Sequence, residues 1–157
     1  MKVKSLTRIA IFAAIYAVLT LAIAPFSFGA IQCRVSMIMS LFCVGNKRNA
    51  AGYVIGTIIA NLFSPLGIID VAVGMVVSGI VAFTAYKTKS ELATVIANII
   101  AVSIFVGAEL AYVYSIPFVT NAIYVAIGTA ISCTVGLILS KIIKKNKPVY
   151  SVIMGRD

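Results

Sequence analysis

Apolar runs of helical length alternate with short polar, basic or proline-containing breaks along nearly the whole chain. The pattern predicts six helices, at about residues 5–25, 35–46, 49–63, 70–86, 91–114 and 117–144, with a basic tail over 141–157. Pro25, Pro65 and Pro117 fall at the breaks, where a residue without an amide hydrogen interrupts a helix. About 20 apolar residues are needed to cross a hydrocarbon layer of about 30 Å. The second and third runs are short for that task. They read either as two thin spans or as a re-entrant pair between helices 1 and 4.

Composition turns this pattern into a fold class. The chain has 157 residues, of which 62% are hydrophobic and 11% charged, and its mean hydropathy is +1.12. A soluble domain of this length has too little interior to hide so much apolar surface, whereas a bilayer covers it. The expected fold is an all-α integral membrane protein, one compact bundle of six transmembrane helices over residues 1–157. The start, Met1-Lys2-Val3-Lys4 before an apolar run, is like a secretion signal. The run is too long for one, and no cleavage-like small-x-small site leads into polar sequence, so helix 1 is expected to remain.

The net charge of +9 does not point to nucleic acid, because the basic residues sit between the apolar runs. Lys2, Lys4 and Arg8 precede or open helix 1; Lys47 and Arg48 lie between helices 2 and 3. Lys87 and Lys89 lie between helices 4 and 5, and Lys141, Lys144, Lys145, Lys147 and Arg156 close the chain. With both termini cytoplasmic, six spans put all of these inside and only Arg34 outside, as the positive-inside rule requires.

Small residues mark packing faces. Ala10, Ala13, Ala14 and Ala17 lie on helix 1, Gly52, Gly56 and Ala60 on helix 3, and Gly74 and Ser78 on helix 4. Such spacings let helix backbones approach closely. For Gly52 and Gly56 internal packing is the simple reading. The alanine surface of helix 1, near the cytoplasmic end, could also dock another protein.

The polar residues left inside the apolar pattern gather toward the outer side. They are Gln32, Arg34 and Ser36 on helix 2, Asn61 and Ser64 on helix 3, and Asp70 opening helix 4. Glu109 and Tyr112 lie late in helix 5, and Asn121 and Tyr124 open helix 6. Ionisable groups within membrane helices are costly and mark functional sites by default. Asp70 could cap helix 4, Arg34 could snorkel to headgroups, and the tyrosines could form an interfacial belt. Glu109 lies more than a turn inside its helix, so it needs Arg34 or a polar ligand as partner. Together these residues read as a small-molecule pocket. Carboxylates and amides can match the donor and acceptor edge of a heterocycle, and aromatic rings can stack on its face.

Other functions are excluded or unsupported. There is no histidine, and Cys33, Cys43 and Cys133 have no metal-ligand spacing. There is no Gly-x-x-x-x-Gly-Lys phosphate loop and no nucleophile with a base, so neither ATP use nor catalysis is expected of this chain. No inverted repeat and no chain of buried acids is evident for self-powered transport. A stand-alone carrier or channel is the alternative to a binding subunit that a partner energises.

Ile31-Gln32-Cys33-Arg34-Val35-Ser36 resembles the loop-to-helix-2 signature of the QueT family. The stretch 61–71, Asn-Leu-Phe-Ser-Pro-Leu-Gly-Ile-Ile-Asp-Val, resembles its helix 3 to helix 4 signature. Thr7 to Thr20 and Tyr124 to Gly128 agree as well. The resemblance implies a six-helix S-component of an energy-coupling factor importer in a bacterial plasma membrane. Its cargo would be a 7-deazaguanine precursor of queuosine. It implies a transmembrane coupling subunit and two ATPases as partners, ATP being used by them, with Ala10, Ala13, Ala14 and Ala17 facing the coupling subunit. The outward polar set, Gln32, Arg34, Ser36, Asn61, Asp70, Glu109, Tyr112, Asn121 and Tyr124, is expected to meet substrate, with Arg34 and Asp70 inside the signature motifs and Glu109 resting on its place within the helix. Two family acids are replaced, by Met37 after the Arg-x-Ser of helix 2 and by Thr129 after Gly128. That shifts the expected cargo toward queuine, another deazapurine or another small heterocycle, and leaves Asp70 and Glu109 to serve its polar edge.

Overall fold

The computed structural model describes residues 2–28 and 34–154. It contains helices α1 (Lys2–Ala22), α2 (Ala24–Ser27), α3 (Lys47–Asn61), α4 (Ile68–Thr88), α5 (Glu91–Tyr114), α6 (Phe118–Lys145) and α7 (Lys147–Met154). A 3-10 segment, Val35–Cys43, precedes α3. Among the described residues there is no strand. Four helices, α1, α4, α5 and α6, are long and apolar enough to cross a membrane.

The second predicted helix is therefore a 3-10 segment, and it forms the centre of the bundle. It touches α1, α3, α4, α5 and α6, and every residue from Ser36 to Cys43 is buried. Its form has a geometric reason. Its start lies beside Asp70 near the beginning of α4, since Arg34 bonds there. Its end lies beside Ala85 near the end of α4, whose carbonyl accepts from the Gly45 amide at 3.2 Å. Nine residues must cover nearly that depth. As an α-helix they would reach about 14 Å, but as a 3-10 helix about 18 Å.

α3 returns through the same depth, packed between α1 and α4. Its contact with α1 is backbone-close. A Cβ on Gly52 would stand 2.9 Å from the Ile9 carbonyl oxygen, and one on Gly56 2.8 Å from that of Ala13. Ala13 and Ala17 are buried in the bundle, whereas Ala10 and Ala14 are exposed. The two alanine faces of the first helix thus separate, one spent on internal packing and one left on the surface.

All the long helices turn apolar side chains outward. Leu92, Ile96, Ile100 and Ile104 run down the exposed face of α5, and Ile123, Ile127 and Ile131 down that of α6. The interior holds Asn49, Asn61, Asn98, Thr94 and Thr129, all essentially inaccessible. An apolar exterior around a partly polar interior is the arrangement expected of a bundle in lipid.

Basic positions collect at one end. Arg8 Nε donates to Asn49 Oδ1 at 3.0 Å, joining the starts of α1 and α3. Lys144 meets Glu91 at 2.6 Å, joining the end of α6 to the start of α5. The predicted tail is largely helical here: α6 continues to Lys145, and α7 folds back. Arg8 and Asn49 donate to the Ile153 carbonyl, and Asn46 to that of Met154 at 3.0 Å. These last carbonyls of α7 lack helical partners, so the arginine and amides cap them.

Candidate polar site at the Arg34 end

The opposite end carries the buried ionisable groups. Arg34 is held at the mouth of the 3-10 segment by donors in three directions. Nε donates to the Ser27 carbonyl at 3.1 Å, Nη1 to Asn61 Oδ1 at 3.0 Å, and Nη2 lies 3.3 Å from Asp70 Oδ2. Its guanidinium also stands over the Phe28 ring, 5.0 Å from the centroid. Asn61 closes the set by donating to the Asp70 carbonyl at 2.7 Å and to Oδ1 at 3.1 Å.

Asp70 lies in the first turn of α4, yet it does not cap that helix. The cap position is Gly67, which makes no side-chain cap bond. The Asp70 carboxylate goes to Arg34 and Asn61 instead, and its side chain is wholly buried. Nor does Arg34 snorkel outward: its side chain is 5% exposed. The Asn61 amide fits because residue 74 has no Cβ; one built on Gly74 would collide with Asn61 Nδ2.

Beneath this network lies a cavity of about 20 Å³, bordered by Arg34, Asp70, Met37, Tyr16, Tyr53 and Thr57. The Tyr16 and Tyr53 rings meet edge to face with centroids 5.1 Å apart. Val102 and Val106 of α5 complete one wall. Sequence reasoning missed Tyr16, Tyr53 and Thr57. Their one visible signal was position, since polar-tipped side chains sit mid-run rather than at helix ends.

Glu109 lies one turn beyond Val106 on the same face of α5, 4% exposed, within electrostatic range of Asp70 and Arg34. Neither carboxylate oxygen has a hydrogen-bond partner. The Asn121 amide nitrogen and the Thr129 hydroxyl of α6 are buried and unpartnered too. Deeper in the bundle Asn98 donates to Ser40 at 2.9 Å, while its oxygen has no partner.

The expected site residues are thus distributed unevenly. Arg34, Asn61 and Asp70 form one network. Ser36 is buried beside it, its oxygen 2.7 Å from the Thr20 hydroxyl. Glu109 and Asn121 are buried at the same end. Tyr112 and Tyr124 are 81% and 51% exposed and lie on the surface. Gln32 lies outside the described residues. Met37 borders the cavity and Thr129 is inaccessible.

Among the described residues no three His, Cys, Asp or Glu side chains are grouped to hold a metal ion. No curated protein and no solved structure matches this chain. The sequence model of one family, described as QueT transporter, matches residues 6–145, nearly the full length. That match and the four apolar spanning helices define a multi-pass membrane transporter component, not an enzyme family, and the chain belongs to the QueT transporter family.

Proposed function

We propose that this protein is the substrate-binding S-component of an energy-coupling factor importer. It captures a 7-deazaguanine precursor of queuosine from outside a bacterial cell for uptake driven by partner ATPases. The observation that carries the reading is the buried polar centre of Arg34, Asn61, Asp70 and Glu109 beside an aromatic-walled cavity, in a chain of a transporter family. Glu109 keeps two carboxylate oxygens without a donor, and Tyr16 and Tyr53 offer ring surface to a heterocycle. The cavity as it stands fits little more than a water-sized group, whereas ligand pockets run to about 300 Å³ or more. Ligand entry therefore requires the elements around it to part.

The chain has no phosphate loop, so energy comes from elsewhere. Ala10 and Ala14 supply a flat exposed face on α1 for a transmembrane coupling subunit, which works with two ATPases. Ala13 and Ala17 support that face from within, packed toward α3. Both termini are cytoplasmic in this reading, with the basic end inward.

Calorimetry on the purified chain with 7-aminomethyl-7-deazaguanine and queuine tests the cargo; tight binding of either is expected. Binding of neither, with another vitamin bound well, assigns a different cargo. Reconstituted vesicles test the energy source. Uptake should need the coupling module and ATP, and uptake by the chain alone would make it a self-sufficient carrier.

A further inference from the structure

The buried charges at the Arg34 end do not balance. Arg34, Asp70 and Glu109 are the buried charged side chains among the described residues. One cation against two carboxylates leaves one negative charge. Arg34 is committed, since its three nitrogens engage Ser27, Asn61 and Asp70. Asp70 is likewise committed, to Arg34 and Asn61. The surplus therefore falls on Glu109, whose two oxygens face no donor.

We propose that Glu109 is the ligand's counter-ion, and that the transported molecule carries a protonated amine. The Arg34–Asn61–Asp70 network is then the positioning frame that holds α3, α4 and the 3-10 segment around the site. A buried carboxylate without donors is strongly disfavoured, and an incoming ammonium supplies both the missing donors and the missing charge. Val102 and Val106 of α5 wall the cavity and Glu109 follows Val106 by about one helical turn, so an amine held there lies next to the cavity's α5 wall. Met37 borders the same cavity with an apolar thioether, and among the described residues Glu109 is the buried acid left without a partner to take this role.

This inference rests on the deazaguanine reading, and that reading supplies a matched pair of probes. 7-Aminomethyl-7-deazaguanine carries an ammonium, and 7-cyano-7-deazaguanine has the same ring without one. The wild-type chain should bind the amine about tenfold or more tightly than the nitrile, the scale of a charge-assisted hydrogen bond. Glu109→Gln should abolish that preference by weakening the amine alone, while the nitrile binds as before. Equal binding of both bases by the wild type, or an amine preference that survives in Glu109→Gln, overturns the proposal. If neither base binds, the cargo reading has failed and the charge inference is judged separately. Mass spectrometry of small molecules retained through gentle purification then decides. A basic amine carried by the wild type and lost from Glu109→Gln supports it, and a neutral or acidic molecule overturns it.

Discussion

Asp70 and Glu109 are both buried acids at the same end of the bundle, but their surroundings differ. Asp70 receives Arg34 at 3.3 Å and Asn61 at 3.1 Å. Glu109 receives nothing. The first acid binds three elements of the fold together: the mouth of the 3-10 segment, the end of α3 and the start of α4. The second contributes no bond to the fold and costs desolvation. A group that costs stability without a structural return is where function is sought, whereas a satisfied network reads first as architecture.

The contrast is open to direct attack. The largest effect is expected from Asp70→Ala, which strands the Arg34 cation. Breaking one side of a buried pair costs about 3–5 kcal/mol, so thermal unfolding in detergent should occur at a much lower temperature. Replacing both partners, with Arg34→Met and Asp70→Leu together, should recover a large part of the loss. If the double variant is no better than Asp70→Ala, the network does more than neutralise Arg34. Gly74→Ala comes next. Its methyl must push the Asn61 amide out of the network, and overpacking of this kind costs roughly 1–3 kcal/mol. A variant that melts like the wild type would show that Asn61 is free to move.

Glu109→Gln should have the opposite sign. Removing an uncompensated charge raises the ligand-free melting temperature, by the equivalent of about 1 kcal/mol. A fall as large as that of Asp70→Ala would mean that Glu109 has a structural partner and that the two acids are alike. Ala14→Trp should change stability least, within about 0.5 kcal/mol, because Ala14 lies on the surface. Ligand binding should persist in that variant while coupled uptake stops; normal uptake would remove this face from the docking surface.

Part of the site was legible from isolated residues. Glu109 stood out because a carboxylate more than a turn inside an apolar run is rare. Arg34 and Asp70 stood out for the same reason, but capping and snorkelling were equal readings of them. Only their meeting, 36 residues apart in sequence, removed those readings. Tyr112 and Tyr124 are placed differently. Each shares a helix with a buried polar residue, but the helical turn carries both to the surface. Tyr16 and Tyr53 passed unnoticed because a tyrosine within an apolar run looks like ordinary packing until the cavity is located.

The sequence by itself determined the membrane character of the chain, the four long helices and the grouping of basic residues at alternate breaks. These follow from local sums, because burial in lipid depends on the run of residues and not on their neighbours in space. The tertiary structure alone decided three further points. The second apolar run is a stretched 3-10 core, because nine residues must cover nearly the depth of the bundle. The chain end folds back as α7, because Arg8, Asn46 and Asn49 can cap its carbonyls. Of the two buried acids one is paired and one is not, because pairing depends on which side chains distant elements bring within hydrogen-bond reach.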